Sequence, residues 1–172
     1  MTSIRGGERE ALVAALGAVL EGVTFYDLAN LVVADTRVKL TFEQLGLRKR
    51  AQLERLEPVV GAGLREIAPR PGIYPLEVVS RTECYVCGYG VETAAMPAQC
   101  PKCGAARYAF EKEIAQAMAW EIAGVTARKS AALFRLHAQK AAGASKSLLE
   151  DLAREEDTTA EEADRQRAEP KT

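Results

Sequence analysis

The chain has 172 residues and a mass of 18.6 kDa, with a formal net charge of −1 and a pI near 6.0. That length holds one domain of ordinary size, or a small domain with a metal-stabilised module, and the charge balance excludes a global basic field for nucleic acid or anionic lipid. Apolar residues make up 48% and charged residues 27%, the composition of a folded chain and not of a disordered one.

The longest apolar run, Ala11 to Leu20, is too short to span a bilayer. Glu8 and Glu10 precede it, against a cleaved signal peptide. The expectation is a cytoplasmic protein without a membrane partner. Residues 8–34 read as one helix with two stripes. Leu12, Leu16, Val19, Val23 and Tyr26 form the first; Ala14, Ala18, Glu21, Phe25, Leu28 and Val32 form the second. At about 100° per residue the stripes lie on opposite faces. A helix apolar on two sides is buried on two sides, which predicts a homodimer or larger assembly built on it.

A second helix is predicted from Arg37 to Leu56, with Phe42, Leu45, Leu53 and Leu56 on one stripe and Pro58 ending it. Residues 58–75, with four prolines and three glycines, read as a linker. Leu76 to Val86 reads as a strand. A third helix is predicted from Phe110 to Ala142, broken by Gly143, and a fourth from Ser145 to Arg167. The stretch Glu150–Asp164 holds eight acids and one base, Arg154, and reads as a solvated face. Residues 168–172 form a polar tail. The layout is a helix pair (8–57), a metal module (76–109) and a second helix pair (110–167). Two such hairpins make a mostly α fold, a four-helix bundle with the module in its long crossover.

The module rests on Cys84, Cys87, Cys100 and Cys103, the four cysteines of the chain. They form two C-x-x-C pairs, each followed by glycine, Gly88 and Gly104. The tight turn of such a knuckle aims backbone N–H groups at sulfur, and glycine permits the positive φ. Two knuckles give tetrahedral S4 ligation, which suits zinc or iron alike. Disulfides are the poorer reading in a reducing compartment. The basic residues beside the knot, Arg81, Lys102 and Arg107, are offset by Glu83 and Glu92, so no nucleic-acid patch forms.

The stretch Cys84-Tyr-Val-Cys-Gly-Tyr-Gly, followed by Met96-Pro-Ala-Gln-Cys-Pro-Lys-Cys-Gly-Ala, resembles the short rubredoxin module of rubrerythrins. Tyr89, Pro97 and an aromatic after the second knuckle, Tyr108 or Phe110, share in the likeness. The resemblance implies one iron per chain that carries one electron. The helices resemble the ferritin-like bundle of the same family. Glu21-Gly-Val-Thr-Phe-Tyr is similar to its first-helix glutamate motif, Glu121 to its third-helix glutamate, and Leu152-Ala-Arg-Glu-Glu156 to its fourth-helix motif. At the remaining ligand positions of a di-iron site stand Lys49, Gln52 and Thr159.

Such a site uses four carboxylates and two histidines projecting inward. The one histidine, His137, lies sixteen residues after Glu121, about 160° around and about 24 Å along an ideal helix. It reads as a surface or packing residue. Glu21, Glu121 and Glu156 each lie within an apolar stripe. Three readings stay open for them: stripe-edge residues reaching water, a core balanced by Lys49 or Arg128, or a remnant metal site. The leading functional expectation is an iron redox protein acting in electron transfer or redox sensing with an unidentified redox partner. The alternatives are a zinc-stapled scaffold and a peroxidase with a residual di-iron site.

Overall fold

A computed structural model describes residues 6–92 and 96–169. The elements are α1 (Gly6–Val32), α2 (Thr36–Val60), α3 (Leu76–Ser80), β1 (Arg81–Cys84), β2 (Gly90–Glu92), β3 (Phe110–Glu111), α4 (Gln116–Ala138) and α5 (Gly143–Ala168). Of the polar tail, residues 170–172 lie outside the described residues.

The fold is mostly helical, as the periodicity predicts. Short connections make α1 pack chiefly on α2 and α4 chiefly on α5, the geometry of two αα-hairpins. Asp35 caps α2, its side chain accepting from the N–H groups of Arg37 and Val38. The hairpins join through α1, which touches both α4 and α5. One apolar cluster holds Leu12, Leu16, Leu53, Leu56, Phe134 and Leu149. A second holds Phe25, Tyr26, Phe42, Tyr74 and Trp120, with ring centroids 5.2–6.0 Å apart within the quartet Phe25, Tyr26, Phe42 and Tyr74.

Four boundaries depart from the sequence expectation. Helix α2 continues through Pro58 to Val60. Proline removes one donor, but the ladder resumes with the Gly61 N–H on the Glu57 carbonyl, so the loss falls in the last turn where it costs least. Residues 76–80 form helix α3, not strand. Its buried Val79 packs into the cluster around Phe25, and that tertiary contact overrides the β-propensity of Val78-Val79. Residues 110–115 are not helical. Phe110 and Glu111 pair instead with Cys84 and Glu83, and the Lys112 N–H donates to the Val32 carbonyl at the end of α1. The chain turns at residues 139–142, and Gly143 starts α5 with φ of 52° instead of ending α4.

The segment read as a linker is a cover. It folds against α1, with the Gly72 and Tyr74 N–H groups on Glu21 and the Tyr74 ring beside Phe25. A Cβ at Gly17 would stand 1.8 Å from the Pro69 carbonyl oxygen, and one at Gly22 would stand 2.9 Å from the Tyr74 hydroxyl. Gly17 lets the Pro69 backbone approach, and Gly22 makes room for the Tyr74 ring. By length and composition α1 is apolar enough to cross a bilayer, yet 72% of its most apolar stretch is buried in the fold. Much of the double burial of α1 is thus met within the chain, by α2, α4, α5 and the crossover.

The acids of α5 do not form a free solvated face. Arg48 meets Glu162, Arg55 meets Glu155, Arg128 meets Asp164 and Arg135 meets Asp157. Arginines of α2 and α4 thus flank α5 on both sides. Each pair is at least partly exposed and contributes little alone.

Candidate metal centre

The two knuckles repeat one backbone design. In each, the first cysteine accepts at its carbonyl from the glycine four residues on: Gly88 to Cys84 at 2.7 Å and Gly104 to Cys100 at 2.9 Å. In each, the first cysteine's N–H donates to the carbonyl five residues on, Cys84 to Tyr89 and Cys100 to Ala105. Both glycines sit at positive φ, 72° and 74°, a conformation that only glycine adopts without strain. The three-stranded sheet, ordered β2-β1-β3, ends β1 at Cys84 and fixes the first knuckle. Cys84 and Cys100 are buried against Ala109 and Phe110, whereas Cys87 is half-buried and Cys103 exposed.

The four sulfurs converge, all within 4.8 Å of one another. Sγ of Cys84 lies 3.8 Å from that of Cys103, and Sγ of Cys87 lies 3.6 Å from that of Cys100. A metal–sulfur distance of about 2.3 Å gives tetrahedral edges of about 3.8 Å. Disulfide sulfurs would be about 2.05 Å apart, and all four cysteines are free. The donor set fits a single tetrahedral ion.

The electrostatics of four clustered thiols favour a bound cation. Burial raises the Cys100 thiol, but the N–H groups of Cys103 and Lys102, together with the Cys87 and Cys103 side chains, hold it down at about 7. At Cys103 the Ala105 N–H pulls down, yet desolvation and the three neighbouring sulfurs push the thiol up to about 12. Four thiolates at this separation cannot coexist at neutral pH without a positive charge among them.

The three glutamates go to three different places. Glu21 accepts from the backbone N–H groups of Gly72 and Tyr74, at 2.8 and 2.6 Å, and so pins the crossover to α1. Glu121 is exposed on the outer face of α4. Glu156 is buried, where Lys49 Nζ and Gln52 Nε2 donate to its Oε1 at 2.5 and 2.6 Å. Arg128, one of the open candidates to balance the core glutamates, pairs instead with Asp164. Thr159 bonds to the Glu155 carbonyl of its own helix. His137 is half-buried, and its Nδ1 has no partner among the described residues. A pair of divalent ions does not fit this bundle: of the two buried carboxylates among the described residues, Glu21 is taken up by backbone N–H groups and Glu156 is contacted by an ammonium.

Tyr74 is the residue that sequence reasoning missed. It closes the bundle centre over Lys49, 5.7 Å from Nζ to ring centroid. Burial, then the Glu156 charge, pushes its hydroxyl well above the usual tyrosine range. A cavity of about 10 Å³ lies between Tyr26, Lys49, Tyr74 and Glu156, about one water sphere. The signal was available in Gly22, a glycine inside an apolar helix, which leaves room for a large side chain.

Residues 83–111 match the family model described as "Rubrerythrin, rubredoxin-like domain". The match covers both knuckles, β2, β3 and the end of β1, and stops short of the bundle. No curated protein and no solved structure matches the chain. Residues 83–111 form a rubredoxin-like domain with a four-cysteine metal site suited to iron or zinc.

Proposed function

We propose that this protein carries single electrons, in transfer or in redox sensing, through one iron held by Cys84, Cys87, Cys100 and Cys103. The observation that carries the reading is the likeness of residues 83–111 to the rubredoxin-like domain of rubrerythrins, together with the tetrahedral spacing of the four sulfurs. An iron bound there supplies one-electron chemistry without change of ligands. The chain does the rest. Cys84 and Cys100, packed under Phe110 and Ala109, exclude water from the inner side. Cys103 brings one sulfur to the surface, where a redox partner makes its closest approach. The twin glycine turns hold the sulfurs in place in either oxidation state, which keeps reorganisation small.

Peroxide reduction of the rubrerythrin type is not part of the proposal, since Lys49 occupies the bundle position where a second metal centre would need a ligand. The test is metal analysis and a visible spectrum of the purified protein. The expected result is a red protein with one iron per chain, bleached by dithionite and restored by air. A colourless protein with one zinc per chain and no response to dithionite would overturn electron transfer and favour a zinc-stapled scaffold.

A further inference from the structure

The two knuckles present more apolar surface than their own fold uses. Tyr85 and Val86 stand inside the first C-x-x-C pair and are 62% and 58% exposed, and Tyr108, after the second pair, is 78% exposed. Ala109 and Phe110 fill the small core against Cys84 and Cys100, and Tyr108 takes no part in it.

Backbone hydrogen bonds draw these exposed residues together. The Tyr85 N–H donates to the Ala109 carbonyl at 2.9 Å, which seats the turn Arg107–Ala109 beside the first knuckle. A bridge between Gln99 and Ala106 ties the same turn to the second knuckle, where Cys103 is exposed. An apolar patch left open around a metal ligand is a contact surface.

The charges of the module are sorted about this patch. Arg81 stands opposite Glu92, at the end of β1 roughly 10 Å from Cys84. Arg81 and Lys112 line a cleft together with Glu83, Glu111 and Glu113, so both cations have acids beside them. Lys102, between the ligands of the second knuckle, and Arg107, next to Tyr108, do not. Both are exposed, and neither takes part in an ion pair among the described residues. From Cys84 to Phe110 the one acid is Glu92. The knuckle face is therefore apolar with an uncompensated positive rim, although the whole chain carries a net charge of −1. Two cations are too few to hold a nucleic-acid backbone, which takes roughly six to ten phosphate contacts.

Given the electron-transfer reading, we propose that the partner is an acidic redox protein that docks on the knuckle face, its acids meeting Lys102 and Arg107 and its apolar centre meeting Tyr85, Val86 and Tyr108. The apolar contact supplies the hold, and the charges choose the partner and steer its approach.

The test is a titration of the zinc-loaded full chain, followed by its amide resonances at low salt. Two redox proteins of opposite charge serve as probes: plant-type ferredoxin, which is acidic, and cytochrome c, which is basic. Ferredoxin is expected to bind, with shifts at residues 85–89 and 101–108, and to lose affinity as salt rises toward ~0.2 M. Lys102→Glu and Arg107→Glu should each weaken it about threefold or more, and the two together should let cytochrome c bind in its place. Tyr108→Ser should weaken ferredoxin about tenfold with an unchanged melting profile, because the ring is exposed. Wild type that binds cytochrome c as tightly as ferredoxin, ferredoxin binding insensitive to both charge reversals, shifts confined to the helices, or tighter binding of a short oligothymidylate would each overturn the proposal. Zinc in the site keeps the two readings apart: the metal and colour of the native protein decide electron transfer, and the titration decides the docking surface.

Discussion

Lys49 and Glu156 meet inside the bundle, Nζ 2.5 Å from Oε1, with side chains only 6% and 2% exposed. The pair links α2 to α5 at the level where the two apolar clusters abut. Leu45 and Phe42 lie on one side of Lys49, Leu53 and Leu56 on the other. Gln52 shares the same carboxylate oxygen, and Glu156 Oε2 has no partner among the described residues.

Removing one charge strands the other. Lys49→Met is expected to cost about 3–5 kcal/mol, because Glu156 then stays buried with only Gln52 beside it. Lys49→Met combined with Glu156→Leu should recover most of that loss. Denaturant melts of the three proteins check this. A single variant as stable as wild type would show that Glu156 is reached by water.

The glycine at position 17 is a packing requirement. Gly17→Ala should destabilise by about 1–3 kcal/mol through overpacking against Pro69, since its Cβ would meet the Pro69 oxygen. Gly7 lies in the same helix with nothing near its Cβ position. Gly7→Ala should be neutral or stabilising by up to about 1 kcal/mol. Thermal melts of the pair separate close approach from helix propensity.

The metal site should respond asymmetrically to cysteine loss. Cys100→Ser and Cys103→Ser both remove a ligand and should lower metal content. Cys100 is packed in the small core with Cys84 and Phe110, so its loss should also release residues 81–111 to fast amide exchange, since binding energy in so small a module is folding energy. The amides of α4 and α5 should stay protected. Exchange measured by mass spectrometry, with metal content alongside, reads both effects.

His137 gives the bundle a mild acid sensitivity. Burial first, then the nearby Lys140 charge, holds its imidazole below the usual value of 6.5. A histidine with a depressed folded value contributes stability above 6.5 that is lost as pH falls through the folded value. The stability of wild type should therefore decline below pH 6.5, before the carboxylates titrate. His137→Gln should flatten that part of the profile. As the one histidine of the chain, it also gives a single imidazole signal whose titration midpoint should lie below 6.5.

The residues by themselves determined the metal centre, the four long helices and their order. Ligand spacing in a knuckle is local: four residues and one glycine set the turn, whatever the rest of the chain does. Helical periodicity is local too, and it placed Lys49 inside an apolar stripe, which called for a buried acid. Only the tertiary structure decided which acid answered. The stripe containing Glu121 has helical spacing, but α4 turns its run of small residues, Ala119, Ala123, Ala127 and Ala131, into the protein. Small side chains let α5 approach closely, and that rotation carries Glu121 to the surface. The crossover was illegible for the same reason. Its prolines and glycines forecast an irregular path correctly, but an irregular path has no period to say what it covers. The burial of Tyr74, and the capture of its N–H by Glu21 across 53 residues of chain, are long-range contacts, fixed by which surfaces fit and not by any neighbouring residue.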